Sequence, residues 1–426
     1  MSNEISVSVT RRVRLRGRGW AGKSIITVCL VPPLILALLA LPVRPSLAKG
    51  AIVSGPALLS DAAEAAFSQS TQSGKSSWGQ ISNAEFSRLI GEFSEPGGSF
   101  LSDNLISNET SYLHVVPKLR ELGATGGAYI GVGPEQNFTY IAKIHPNIAF
   151  IIDIRRQAIV QHLMFKAIFE LAPTPPEFLS ILLSRPLSGK AVPVKDPSLE
   201  LFLDYFSKTP ADSTAFKRNL GAISKLISGT FGFGMTAEDR AGLENIFTSF
   251  REDGLDISFS LGRSGYGDGF FPTLRQLIDE RDLTGNQGNF LATRDDYEFV
   301  RRMQQQNRII PVVGDFAGYK ALSAIAGYLR QHHHVVTAFY LSNVEQYLFE
   351  SGVFDKFAEN VRKLPVNDKS LFIRSVFEMW VRHPARIPGH HSVTVLQSIQ
   401  VFLKDYDDGR CGDYYNLVTN DYIAGN

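Results

Sequence analysis

Between residues 128 and 154 the chain sets two short apolar runs, AYIG and IAFIIDI, on either side of PEQNFTYIAKIH, in which Phe138, Ile141 and Ile144 recur at helical spacing. A continuous apolar strand is buried on both faces, as in a parallel sheet covered by helices. Two such strands joined by one helix form a right-handed parallel βαβ unit. A chain committed to that unit must supply further strands beside it and helices over it. The runs IIPVVGD (309–315), VVTAFYLS (335–342) and SLFIRSVF (370–377) are further strand candidates, with helices expected over Tyr319–Gln331, Val344–Phe349 and Val353–Leu364. The fold class expected is α/β, with a doubly wound, mostly parallel sheet.

Upstream, Ile81, Phe86, Leu89, Ile90 and Phe93 predict a helix that ends at the EPGG turn, and a second helix is expected over Tyr112–Leu122 with Gly123 as its cap. After the second strand, Ile159, Val160, Leu163, Met164, Ala167, Ile168 and Leu171 predict a long amphipathic helix. From about 172 to 307 the strand and helix alternation stops, and turn signals such as PTPPEF, TFGFG and GRSGYGDG separate short helices, one beginning at Thr236 with Asp239 in capping-box position. This segment reads as a large, mainly helical insertion or lid. The amphipathic stretch SVTVLQSIQVFLKDY lies near the end.

The N-terminus is of another kind. Arg11, Arg12, Arg14, Arg16, Arg18 and Lys23 precede the apolar run IITVCLVPPLILALLALPV at 25–43, which is followed by Ser46-Leu47-Ala48. Charge before an apolar stretch and small residues after it describe a signal peptide cleaved near Ala48. About 19 apolar residues also suffice to cross a bilayer, so an uncleaved anchor touching the membrane through 25–43 is the alternative. Pro32, Pro33 and Pro42 favour cleavage, hence export to the periplasm or beyond. TRRVRLR (10–16) resembles the twin-arginine export signal, with Arg14 where that pattern prefers Phe. The organisation expected is a leader over 1–48, a Ser-rich flexible linker over 49–80, and an α/β domain over 81–426. With 43 Lys and Arg against 42 Asp and Glu, no overall field recruits nucleic acid. Two cysteines supply neither a disulfide framework nor a cysteine metal site, and no metal is expected.

Ligands of open α/β sheets sit beyond the C-terminal ends of the strands. That rule selects Gly131, Gly133, Glu135, Gln136 and Asn137 in the first turn, Asp153 and Arg155 after the second strand, Asp315 after the third, and Asn343, Glu345 and Tyr347 after the fourth. Glycines permit a tight turn and close backbone approach, and an acid 20 residues beyond Gly133 is spaced to meet a ribose diol. Glu135 puts negative charge where a pyrophosphate would lie, which points to a ligand without phosphates. The same residues also serve as helix caps, and Arg155 as a salt-bridge partner, in a reading without a ligand.

GVGPEQN, IAFIIDI and the later strands resemble the class I S-adenosylmethionine-dependent methyltransferases. That resemblance implies a Rossmann-like sheet, S-adenosylmethionine as cofactor, the glycine turn on its methionine part and Asp153 on its ribose; in an enzyme, Asp315, Asn343, Glu345 and Tyr347 at the strand ends are the candidate groups for the second substrate, and a small-molecule ligand is the partner expected. Glu135 stands where the third glycine is usual, and Tyr129 where an acid is common. The longer blocks GVGPEQNFTYIAKI, FIIDIRRQ and FYLSNVEQYLF are similar to a bacterial family of uncharacterised proteins, which implies no activity. The alternative function is an exported or membrane-associated protein that binds a small molecule without catalysis.

Overall fold

The computed structural model describes residues 79–188, 192, 197–259, 270–379 and 381–425. The expected leader, most of the linker and the glycine-rich loop at 262–269 lie outside them. Six strands form one sheet in the order β3-β2-β1-β4-β5-β6: β1 Ala128–Gly131, β2 Ile148–Asp153, β3 Ile309–Val313, β4 Val336–Ser342, β5 Leu371–Phe377 and β6 Ser392–Ser398. The first five pair in parallel and β6 is antiparallel to β5. The α/β class therefore stands, with a mostly parallel sheet. Every residue of β1, β2 and β3 is buried, as continuous apolar strands require.

Helix α1 (Asn83–Phe93) is capped by the Ser82 hydroxyl and buries Phe86, Leu89, Ile90 and Phe93. The next helix, α2, covers only Val116–Glu121, and residues before it run in turns. The expected start at Tyr112 fails for a local reason. Pro117 sits in the first helical turn, where its fixed φ and missing N–H are tolerated, while Tyr112 is spent on a tertiary bond from its hydroxyl to Leu277 O. Between β1 and β2 lies α3 (Gln136–Ile144), closed by His145 in the left-handed conformation at φ 51°.

After β2 comes α4 (Arg156–Leu171), and here the expected amphipathic helix is buried on almost every side, from Ala158 through Phe169. The cause is the chain that follows. The helices α5 (Pro175–Leu182), α7 (Ser213–Lys225), α8 (Ala237–Asp253) and α10 (Arg294–Gln305) all pack on α4, while α6 (Leu199–Lys208) and α9 (Leu274–Asp279) pack near the short 3-10 turn after α8. The Thr236–Asp239 capping box forms as expected. Three polar side chains of α4 find partners in this interior: Gln161 donates to Leu105 O, His162 meets Gly133 O, and Lys166 donates to Gln304 O. Buried polar groups without such partners would cost heavily.

Helices α11 (Ala321–Gln331), α12 (Val344–Glu350) and α13 (Phe354–Arg362) complete the alternation. The stretch SVTVLQSIQVFLKDY divides at Ser398 into β6 and helix α14 (Ile399–Asp407), with α15 (Tyr414–Thr419) after it. Its β-branched first half, buried throughout Ser392–Gln397, pairs with β5 and leaves the helical period to the second half. Each sheet edge is met by another segment at one residue. In β3, Pro311 supplies no N–H, and Val313 is bonded through N and O to Ser94 and Glu95; on β6, Leu396 exchanges backbone bonds with Ile423.

Phe138 of α3 is the centre of an aromatic group, with Phe165, Phe169 and Phe290 edge-on at 5.3–5.6 Å between centroids. Phe138→Ala should lower stability by about 3–5 kcal/mol, read as a reduced urea midpoint with an unchanged slope. An unaltered midpoint would show that this group does not hold α3 against α4.

Candidate ligand-binding site

A cavity of about 460 Å3 opens beyond the C-terminal ends of β1, β2, β3 and β4. Each strand delivers a short loop to it. From β1 comes Val132-Gly133-Pro134, from β2 Asp153-Ile154-Arg155, from β3 Gly314-Asp315-Phe316, and from β4 Ser342-Asn343-Val344 with Tyr347 one helical turn on. A further part of the wall is a strap between α1 and α2, contributing Ser99, Phe100, Asn104, Ser107, Asn108 and Glu109, and Phe259, Leu348 and Val353 add apolar surface.

The first turn is rigid. Asn137 donates from Nδ2 to the carbonyls of Val132, Gly133 and Pro134 and accepts the Tyr129 hydroxyl at Oδ1. A Cβ at residue 131 would overlap that Asn137 oxygen and the Tyr129 ring, so this glycine is a matter of space. Gly133 differs: its φ of +78° favours glycine, and the atom nearest to where a Cβ would stand is Asn104 Nδ2, 3.8 Å away. His162 secures the Gly133 carbonyl from below at 2.8 Å. Of the polar residues expected at the helix start, Glu135, Gln136 and Asn137 all turn inward. Glu135 accepts Ser107 N at Oε1, and Gln136 donates to Glu109 and Tyr340 while accepting the Ser107 hydroxyl. The strap occupies the space in front of the helix where the sequence pattern suggested a ligand.

Asp153 and Arg155 form a buried pair. Oδ1 of Asp153 accepts the backbone N–H and Nε of Arg155 at 2.9 and 3.0 Å, and Oδ2 accepts a terminal nitrogen at 2.8 Å. The Arg155 guanidinium also holds the strap through Ser102 O and Asp103 O. A carboxylate has about four lone-pair sites, so three donors leave one on Oδ2. Asp153 thus closes an Asx turn just before α4, where no side chain caps the helix, and is an ion-pair partner that retains one acceptor in a residue lining the cavity.

Among the residues expected from sequence, the cavity wall brings together Gly133, Asp153, Arg155, Asp315, Asn343 and Tyr347. Gly131, Glu135, Gln136 and Asn137 stand behind the wall. Glu345 lies elsewhere: it pairs with Arg374 of β5 at 2.5 Å, both side chains 2% exposed, and Arg374 also donates to Gln397 and stacks over Phe372.

Sequence reasoning missed Glu109. Its carboxylate, 1% exposed, accepts the hydroxyls of Tyr340 and Ser342 at one oxygen, and the Gln136 amide and Ser375 hydroxyl at the other. All four partners are neutral. Ser342 adopts φ 52°, rare for a residue with a side chain, directly after a register shift that leaves Leu341 outside the β4–β5 pairing. Strain of that kind persists where surrounding bonds impose it, and here the Ser342 hydroxyl is bonded to Glu109. Phe100 lies edge-on to Tyr347 at 5.3 Å in the same wall.

Much of this wall falls within a known family of sequences. The family described as a domain of unknown function, DUF7790, matches residues 105–186 and 233–421. The chain belongs to that family. No curated protein matches the sequence. The matched ranges include Glu109 and the strand-end loops from Val132 to Tyr347, whereas Ser99, Phe100 and Asn104 fall before them.

Two buried titratable groups flank the glycine turn with opposite consequences. Burial pushes the Glu135 carboxyl up to about 7, helped by the nearby Glu109 charge, and its Oε2 has no partner. Burial lowers His162 to about 4. Stability from Glu135 is complete below its ordinary 4.5 and is lost as pH rises through about 7; stability from His162 is complete above 6.5 and is lost as pH falls through about 4. Glu135→Gln should therefore gain on the wild type between pH 4.5 and 8, by on the order of 3 kcal/mol in urea unfolding. A difference that stays flat across that range would place Glu135 in contact with water.

Proposed function

We propose that the cavity binds a nucleoside of the S-adenosylmethionine type and that the protein is methyltransferase-like, passing a methyl group to an acceptor that the sequence does not identify. One observation carries the reading: Gly133 in a left-handed turn and Asp153, with one acceptor remaining, line the same cavity beyond adjacent parallel strands. In this reading the sheet is Rossmann-like and doubly wound, and the helices between 172 and 307 are an insertion over α4. The volume of about 460 Å3 lies within the range of small-molecule sites. When bound, S-adenosylmethionine supplies an activated methyl group, a reaction that asks mainly for positioning from the protein.

The residues divide the work. The Gly133 turn lies against the non-ribose part, Asp153 accepts from a ribose hydroxyl, and Arg155 keeps Asp153 oriented. Asp315, Asn343 and Tyr347 surround the acceptor. Glu345 supports this side indirectly, since its pair with Arg374 fixes α12 to β5. Burial raises the Tyr347 phenol above its ordinary value, so at neutral pH it serves as a hydroxyl donor. Calorimetric titration and thermal unfolding with S-adenosylmethionine test the reading. Ligand at 100 times its Kd should add about 2.7 kcal/mol, and Asp153→Ala should remove most of that gain. Absence of binding, with Asp153→Ala indifferent, would dispose of the nucleoside site.

The leader supports a second reading, in which the chain is an exported or membrane-associated small-molecule-binding protein without catalysis. Basic residues before 25–43 and Ser46-Leu47-Ala48 after it favour this compartment, where free S-adenosylmethionine is not expected. Among the described residues no helix is long and apolar enough to cross a membrane. N-terminal sequencing of protein recovered from its own host should find a mature chain beginning at Lys49. Recovery of residues 1–48 on a membrane-bound chain would favour the anchor instead.

A further inference from the structure

We infer that the cavity selects ligands carrying a fixed positive charge, an onium centre such as a sulfonium or quaternary ammonium, and that Glu109 is the residue that reads it. The inference rests on the cavity being the ligand site proposed above, and it names the class of group that site prefers.

The charges on the wall are uneven. Among the described lining residues the acids are Glu109, Asp153 and Asp315, and the one cation is Arg155. Arg155 is already committed to both oxygens of Asp153 and to two strap carbonyls. Glu109 and Asp315 therefore face the cavity without a cationic partner. Glu109 is the more consequential, being 1% exposed and held by neutral donors only. A carboxylate removed from water keeps a strong field in a medium of low dielectric constant, and four neutral hydrogen bonds satisfy its lone pairs without cancelling its charge. Burial raises the Tyr129, Tyr140 and Tyr340 phenols above their ordinary range, and the neighbouring Glu109 adds to the rise.

The rest of the wall suits an onium ion. Such a centre has no N–H to donate, so it needs a charge and polarisable faces more than hydrogen-bond acceptors. Phe100, Phe316, Tyr340 and Tyr347 supply aromatic rings in the wall, and cations are attracted to ring faces. A phosphate would meet two carboxylates without a cationic partner, and an arginine with four of its five N–H groups already bonded. The bonds from Ser342, in its strained backbone, and from Tyr340 fix the Glu109 carboxylate in one position, so the charge is presented at a point.

Matched probes separate charge from shape. Titration calorimetry would compare S-adenosylmethionine, its uncharged thioether product, and tetramethylammonium, on the wild type and on Glu109→Gln. The expected result is a preference of about tenfold or more for the sulfonium over the thioether in the wild type, reduced to near parity in the variant. Hydrogen exchange on the wild type should show residues 105–112 protected more by the sulfonium than by the thioether, a readout that stands even if Glu109→Gln does not fold. Equal binding of sulfonium and thioether by the wild type would overturn the inference and leave the nucleoside reading intact. Tetramethylammonium binding with neither nucleoside bound, together with protection of 105–112, would uphold the inference and end the nucleoside reading. Failure of every probe, charged or not, to bind would overturn both.

Discussion

The carboxylate of Glu109 ties the strap between α1 and α2 to three elements of the α/β layer at once. Through Gln136 it reaches the start of α3, through Tyr340 and Ser342 the end of β4, and through Ser375 the middle of β5. It thereby presses the strap between α1 and α2 onto the sheet and closes one side of the cavity. A buried carboxylate needs several donors to offset lost hydration. Those donors have to come from several elements, so the strap cannot be moved without exposing or orphaning the charge. The neighbouring bonds of Ser107 to Glu135 and Ser111 to Ser392 and Thr394 run along the same line and continue the attachment.

Beneath this junction α4 plays the complementary part. It carries Gln161, His162 and Lys166 into an interior where each meets a backbone carbonyl, respectively of the strap, the glycine turn and the end of α10. One helix therefore positions both the floor of the cavity and the layer packed over its far side. The price in desolvation shows in Lys166, which burial brings down to about 8 although Phe86 and Phe231 lie under its ammonium. Polar groups on a buried helix fix register where apolar packing alone would tolerate sliding.

What was legible from sequence follows from range. The βαβ unit declares itself in 27 consecutive residues because apolar continuity and helical spacing are local signals, and β3, β4 and β5 are recognisable for the same reason. The rule that ligands lie beyond strand ends led to Gly133, Asp153, Asp315, Asn343 and Tyr347, which do line one cavity. It also led to Glu345, which stands one residue past the start of α12 and faces Arg374 instead, because a helix turns successive side chains through about 100°. Glu109 was illegible. It sits in ISNETSYLH, a stretch without periodicity, and its partners lie 27, 231, 233 and 266 residues away. The signal that pointed nearest was Ser342 with Asn343, polar residues at the end of an apolar strand, which marked one donor without revealing its acceptor. The division of SVTVLQSIQVFLKDY had a visible cue as well, since its β-branched residues cluster before Ser398.

The contacts at the two sheet edges have a consequence for what kind of molecule this can meet. Proteins that recognise peptides by adding a strand need a free row of N–H and C=O groups. Here Pro311 interrupts that row on one side, where Ser94 and Glu95 also take up Val313, and Ile423 occupies Leu396 on the other. The backbone is closed to an extended guest at both of these points, which leaves the side chains around the hollow, and not the main chain of the sheet, as the surface a ligand of the proposed kind would meet.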